Sequence, residues 1–196
     1  MDNFLARQGI YDKEKKVIGY ELLYRTSNNN KYDYTIEACK ATMQTIKIFK
    51  AMGSKKLTED KRAFINFPEG SIIAKEYEGL KREAVVIEIL EDVRPTDKVL
   101  SRLGELKKEG YILALDDVSH EIEYEKFLNF IDIYKIDFIK TSKEERMEIL
   151  GKIKMINGKA KFLAEKIENI EEYNEGIEEG YEYFQGYYLS KPFIIS

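Results

Sequence analysis

Seven short apolar runs rich in β-formers recur along the chain, and each delivers a carboxylate, an amide or an ammonium at or near its C-terminal end. Val17 to Leu23 carries Glu21, Ala63 to Phe67 carries Asn66, and Ala84 to Leu90 carries Glu88. Tyr111 to Leu115 leads into Asp116 and Asp117, and Ile131 to Ile136 holds Lys135. Lys161 to Ala164 leads into Glu165, and Tyr181 to Phe184 into Gln185. Between most of these runs lie helical patterns. Ile36, Cys39, Met43, Ile46 and Phe49 form one apolar face across Tyr34 to Met52. Pro95-Thr96-Asp97 starts a helix with Val99, Leu100, Leu103 and Leu106 on its face, and Gly110 stops it. Lys143 to Asn157 carries Met147, Leu150 and Ile153, and Ile170 to Glu179 is an acidic helix closed by Gly180.

Strand and helix alternating this often imply parallel strands joined by crossovers, as an open doubly wound sheet or a closed barrel. In either, ligands bind at the C-terminal edge of the strands, and in a barrel those side chains converge on one mouth. One strand-end acid is ordinarily a capping or loop acid. Seven converging polar groups, most of them acidic, would repel one another unless cations share the site. The chain has one cysteine, Cys39, and one histidine, His120, so a multi-histidine or cysteine-cluster metal site is excluded, as is an internal disulfide. Oxygen donors alone select hard ions such as magnesium or manganese, which most often serve phosphate chemistry.

Composition bounds the rest. A chain of 196 residues can bury about 70% of the surface its unfolded form exposes, enough for one domain. Basic residues number 32 against 36 acidic, a net charge of -4, which argues against a cationic DNA or RNA binder. No apolar run reaches the roughly 20 residues of a membrane span, and no export signal is visible, so a cytoplasmic location is expected. The expectation is a single domain over 1–196, with Asn28-Asn29-Asn30 as its one obvious flexible loop. Cys39 reads as a buried structural thiol and His120 as a solvated loop residue. Glu171 to Glu179 reads as a solvated helix face, and the aromatic residues from Tyr181 to Tyr188 as mostly core.

The ordered blocks resemble a known family. Glu21-Leu22-Leu23-Tyr24-Arg25 is similar to the Glu-x-Leu signature and following arginine of EAL domains, barrel phosphodiesterases that open cyclic di-GMP. Phe64-Ile65-Asn66-Phe67, Ile87-Glu88-Ile89-Leu90-Glu91, Ala114-Leu115-Asp116-Asp117, Lys135-Ile136-Asp137, Ala164-Glu165-Lys166-Ile167-Glu168 and Gln185-Gly186-Tyr187 follow in the family's order. Ala6-Arg7-Gln8-Gly9-Ile10-Tyr11-Asp12 looks most like the subgroup in which an EAL domain precedes an HDOD domain, and no HDOD domain is seen in this chain.

The resemblance implies an EAL-like TIM-type (β/α) barrel and one or two Mg2+ or Mn2+ ions. Glu21, Asn66, Glu88 and Asp116 would hold the first ion, and Asp116, Asp117 and Glu165 the second. Lys135 and Gln185 would position the attacking water and Glu165 would accept its proton. Gln8, Leu23 and Arg25 would line the dinucleotide pocket, and Glu168 would hold the neighbouring loop. It also implies cyclic di-GMP as ligand, a protein partner or a downstream HDOD domain, and allows a homodimer. One block departs: where the family has Phe-Gly-Thr-Gly after the paired aspartates, this chain has Val118-Ser119-His120-Glu121. Both glycines are lost and Glu121 adds an anion. Two readings therefore stay open, a metal-dependent phosphodiesterase and a degenerate EAL domain that binds nucleotide or protein. A magnesium lyase barrel of the enolase type would leave Gln185-Gly186-Tyr187 unexplained. The intervals Glu21 to Asn66 (45 positions) and Asn66 to Glu88 (22 positions) are short for an EAL barrel and predict shortened early helices and loops.

Overall fold

A computed structural model of the chain describes residues 4–26, 37–120 and 123–195. The Asn28–Asn30 loop, the start of the first helix at Tyr34 and the side chain of Glu121 lie outside the described residues. The elements run β1 (Phe4–Asp12), β2 (Val17–Arg25), α1 (Ala38–Met52), α2 (Ser54–Thr58), β3 (Arg62–Phe67), α3 (Glu69–Ile73) and β4 (Val85–Ile89). Then follow α4 (Asp97–Glu109), β5 (Ile112–Leu115), a 3-10 turn (Tyr124–Phe127), β6 (Ile133–Asp137), α5 (Lys143–Ile156), β7 (Lys161–Glu165), α6 (Ile170–Glu179), β8 (Tyr183–Phe184) and β9 (Phe193–Ile195).

Strands β2 to β8 each pair in parallel with the next. β1 runs antiparallel to both β2 and β8, closing an eight-stranded barrel. β9 adds to β1 over Leu5–Arg7. The alternation of strands and helices thus resolves to the closed barrel, with one correction. Its first strand is reversed and joins β2 through a hairpin rather than a helix. That turn carries no glycine or asparagine; Asp12 Oδ1 instead accepts from the backbone N–H of Glu14 (2.9 Å) and Lys16 (2.8 Å), and Lys15 takes φ +58°. The crossover from β3 to β4 contains only the five-residue α3, whereas α1, before β3, runs to 15 residues.

Period-2 alternation divides every strand between two cores. Outward side chains such as Ile65, Ile87, Leu113, Tyr134 and Phe162 pack beneath the helices. Inward ones, Ile10, Phe64, Val86, Ala114, Ile133 and Leu163, fill the barrel floor. Gly19 faces this floor because nothing larger fits: a Cβ there would stand 2.8 Å from the Phe64 ring and 2.9 Å from the Arg62 carbonyl oxygen. The helices behave locally as their sequences dictate. Thr96, Ser142 and Asn169 cap α4, α5 and α6 by accepting from Val99, Glu145 and Glu172 N–H. Gly110 and Gly180 end α4 and α6 in the left-handed conformation.

Two helix faces differ from expectation. Met43 and Met147 are half exposed, because α1 buries Thr42 and Thr45 beside Ile46 and Phe49, and α5 buries Arg146 beside Ile149, Leu150 and Ile153. Thr42, bonded to the Asn66 carbonyl, and Arg146, bonded to Glu179, take places on the faces that periodicity assigned to apolar residues. Cys39 lies in the first turn of α1 and is only half-buried. In α6, Glu179 is not solvated; it is buried against Arg146.

Candidate active site

The floor residues place the site. Moving two positions along each strand from Gly19, Phe64, Val86, Ala114, Ile133, Leu163 and Tyr183 gives Glu21, Asn66, Glu88, Asp116, Lys135, Glu165 and Gln185. All seven therefore sit one layer above the floor at the C-terminal mouth. Sheet register sets their neighbours: Asn66 lies beside Glu88, and Gln8 on β1 lies opposite Glu21.

Lys135 is the centre of this layer, 1% exposed. Its Nζ lies 2.5 Å from Glu88 Oε1, 2.8 Å from Glu165 Oε1, 2.9 Å from Asp116 Oδ1 and 3.9 Å from Glu21 Oε2. Burial alone would lower this ammonium, but Asp116, Glu165, Glu88 and Glu21 together hold it well above the usual lysine value. One cation does not balance the acids. Burial pushes Glu88 and Glu165 well above the carboxylate range, with the neighbouring acids adding to the shift and Lys135 opposing it.

Gln185 Nε2 donates to Glu21 Oε2 (2.7 Å) and to Gln8 Oε1 (3.3 Å), and Gln8 Nε2 donates to the Ser190 carbonyl (3.0 Å). Asn66 Nδ2 donates to Glu21 Oε1 at 3.3 Å. Gly186 lets this strand end meet the β7–α6 loop, since a Cβ there would fall 2.1 Å from the Ile167 carbonyl oxygen. In this layer, among the described residues, Asn66 Oδ1, Glu88 Oε2 and Gln185 Oε1 are buried with neither a hydrogen bond nor an ion pair. Orphaned buried acceptors beside uncompensated carboxylates fit a hard divalent cation. Asp116, Asp117 and Glu165 also offer carboxylate oxygens within 4.8 Å of one another.

A cavity of about 410 Å³ opens over this layer, lined by Gln8, Glu21, Leu23, Asp116, Asp117, Lys135, Glu165, Glu168 and Gln185 among others. Arg25 is elsewhere: it lines a neighbouring cavity of about 380 Å³ with Leu23 and Asn66. Glu168 is exposed, and its backbone N–H donates to Glu172 Oε2 at 2.7 Å. The altered loop after Asp117 is anchored at both described ends. Val118 is fully buried and its N–H donates to the Lys135 carbonyl (2.8 Å), while His120 N–H donates to Glu145 Oε1 (3.0 Å).

Sequence reasoning missed Lys140, bonded to Asp117, and Lys166, bonded to the buried Asp137. Both stood beside quoted motifs, three residues after Asp137 and one after Glu165, where charge alone distinguishes no role. It also missed Ile139 and the exposure of Tyr187, which both line the mouth rather than the core.

No protein-family model matches the chain. Comparison with solved structures decides the fold. YkuI of Bacillus subtilis, a protein with an EAL domain solved in complex with substrate c-di-GMP and calcium, superposes with a TM-score of 0.76 at 23% identity, over 97% of this chain and 55% of that one. The chain has the EAL-domain fold. Two curated proteins are similar in sequence to this EAL barrel. The uncharacterized protein YuxH of Bacillus subtilis (strain 168) is 43% identical over 98% of this chain and 48% of its own length. The cyclic di-GMP phosphodiesterase CdgJ of Vibrio cholerae serotype O1 is 36% identical over 98% of this chain and 45% of its own length. The EAL barrel thus spans about half the length of the curated relatives it matches. Among the described residues, no helix is long and apolar enough to cross a membrane.

Proposed function

We propose that this EAL barrel hydrolyses cyclic di-GMP to the linear dinucleotide with the help of Mg2+ or Mn2+. The observation that carries the reading is the ring of Glu21, Asn66, Glu88, Asp116 and Glu165 around one lysine, with Asn66 Oδ1 and Glu88 Oε2 orphaned. CdgJ, similar over this whole chain, is named a cyclic di-GMP phosphodiesterase, and YkuI holds that nucleotide with calcium. Glu21, Asn66, Glu88 and Asp116 would hold one cation, and Asp116, Asp117 and Glu165 a second. When bound, such ions supply an activated water and neutralise charge building on the phosphate.

The chain's own groups then have defined parts. In the net reaction one P–O bond to water forms, one P–O bond to ribose breaks, and the ribose oxygen gains a proton. Glu165, set at the mouth 2.8 Å from Lys135 Nζ, would accept the proton from water as a carboxylate. Lys135 stays charged and stabilises the developing negative charge beside it. Gln185, fixed by its bonds to Glu21 and Gln8, orients the water. Leu23 and Gln8 form the wall against which the dinucleotide rests, and the Arg25 guanidinium suits a phosphate oxygen in the adjoining cavity.

A second reading, nucleotide binding without turnover, is favoured by one observation: the loop after Asp117 is tied to β6 and α5 and lacks the glycines of the family pattern. Chromatography of cyclic di-GMP incubated with the protein and Mn2+, with Glu21→Ala as control, separates the two. The linear product is expected from the wild type alone; calorimetric binding with no product would establish the second reading. A cytoplasmic location, and a second copy of the chain, a protein or an HDOD domain as partner, belong to the same proposal.

A further inference from the structure

Two aspartates at the rim are already occupied by lysines. Lys140 Nζ bonds Asp117 Oδ2 and Lys166 Nζ bonds Asp137 Oδ2. Neither contact is accidental to the fold. Asp137 Oδ1 accepts from the N–H groups of Ile139 (2.8 Å) and Lys140 (3.2 Å), forming the turn that aims Lys140 back at β5. Arg146 holds the far side of that turn by donating to the Thr141 carbonyl (2.9 Å), and is itself fixed by a bidentate pair with Glu179 and by the Phe138 ring 3.9 Å away. Asp117 and Lys166 both have left-handed backbone, φ +43° and +57°, where side-chain-bearing residues are strained. Strain at both places is held by structure that brings carboxylate and ammonium together. Asp117 also belongs to the trio of carboxylates suited to a second cation.

We propose that Lys140, supported by Lys166, is a resident counter-ion of Asp117, so that a cation entering among Asp116, Asp117 and Glu165 must share Asp117 with an ammonium or displace it, and the chain takes up its second ion weakly. This rests on the metal-dependent reading above and deepens it. A fixed positive charge on one of three ligands opposes a further positive charge, and the anchored turn keeps Lys140 within reach. Lys135 already contacts Asp116 and Glu165, so Lys140 places a second ammonium on the one member of the trio that Lys135 does not pair with, whereas Glu21, Asn66 and Glu88 on β2, β3 and β4 do not meet Lys140.

Calorimetric titration with Mn2+ alone, on the full chain without nucleotide, tests the idea. The wild type is expected to show a tighter and a weaker step. Lys140→Met, at an exposed side chain, should tighten the weaker step about three- to tenfold and leave the tighter one unchanged. Asp117→Asn should remove the weaker step. Circular dichroism checks that both variants fold. A Lys140→Met titration that superimposes on the wild type, or two equally tight steps in the wild type, overturns the counter-ion role while leaving metal binding intact. No Mn2+ uptake by any of the proteins overturns both this proposal and the metal-dependent reading.

Discussion

Lys135 Nζ stands 2.5 Å from Glu88 Oε1, and neither side chain is more than 1% exposed. A buried pair of this kind is costly to desolvate and far more costly to break from one side. Its value lies in what it prepares. The ammonium holds Glu88, Glu165 and Asp116 together in the metal-free barrel, at the layer where a divalent cation would otherwise be needed to keep them close.

Replacing that ammonium leaves the acids unpaired. Lys135→Met is expected to lower metal-free stability by about 3–5 kcal/mol, read from urea unfolding in EDTA. Mn2+ should restore part of the loss, since it supplies the missing charge. A loss under about 1 kcal/mol would show that the acids do not depend on Lys135.

The raised Glu88 and Glu165 make stability pH-dependent with a definite sign. Their folded values lie above the unfolded one, so the folded chain binds more protons and metal-free stability falls as pH rises through the shifted range. Lys135, also raised, contributes stability that persists to alkaline pH and does not mask this. A divalent cation competes with those protons. The increase in melting temperature on adding Mn2+ should therefore grow between about pH 5 and pH 8. An increase that is flat or shrinks over that range contradicts the assignment.

The barrel floor admits no added methyl at Gly19. Gly19→Ala should cost about 1–3 kcal/mol by forcing the Phe64 ring and the Arg62 carbonyl aside. Phe64→Leu in the same chain should recover part of it, as measured by thermal melting. A neutral Gly19→Ala would mean that β2 can shift freely, and with it Glu21.

Arg146 and Glu179 clamp α5 to α6 beneath the turn carrying Lys140. Arg146→Ala should destabilise by about 3–5 kcal/mol, and the double variant with Glu179→Ala by less than the sum of the single changes, because the second truncation removes the stranded charge. Additive losses would show that the two side chains act independently.

Strand-end chemistry was legible because inward positions alternate strictly, so an apolar floor residue followed two places later by Asn, Glu, Lys or Gln announces the mouth. What was not legible has local causes. β1 was hidden because it is reversed, lacks a following helix and turns through charged residues held by Asp12. Thr42 and Arg146 took buried places on helices by finding internal acceptors, the Asn66 carbonyl for Thr42 and the Glu179 carboxylate for Arg146, which no periodicity reports. Lys140 reaches Asp117 through a turn built by Asp137, a contact spanning 23 positions that only the fold creates.

On the function proposed above, the buried carboxylates would hold a divalent cation that supports hydrolysis of cyclic di-GMP by water. The most direct test is the single-turnover rate of linear dinucleotide formation across a Mn2+ titration, for the wild type and Glu88→Gln. The wild type should give no product in EDTA and a rate that saturates with Mn2+, with Glu88→Gln slower by about a hundredfold or more. Turnover that persists in EDTA, a Glu88→Gln rate equal to that of the wild type, or a wild type that yields no product at any Mn2+ concentration would contradict it.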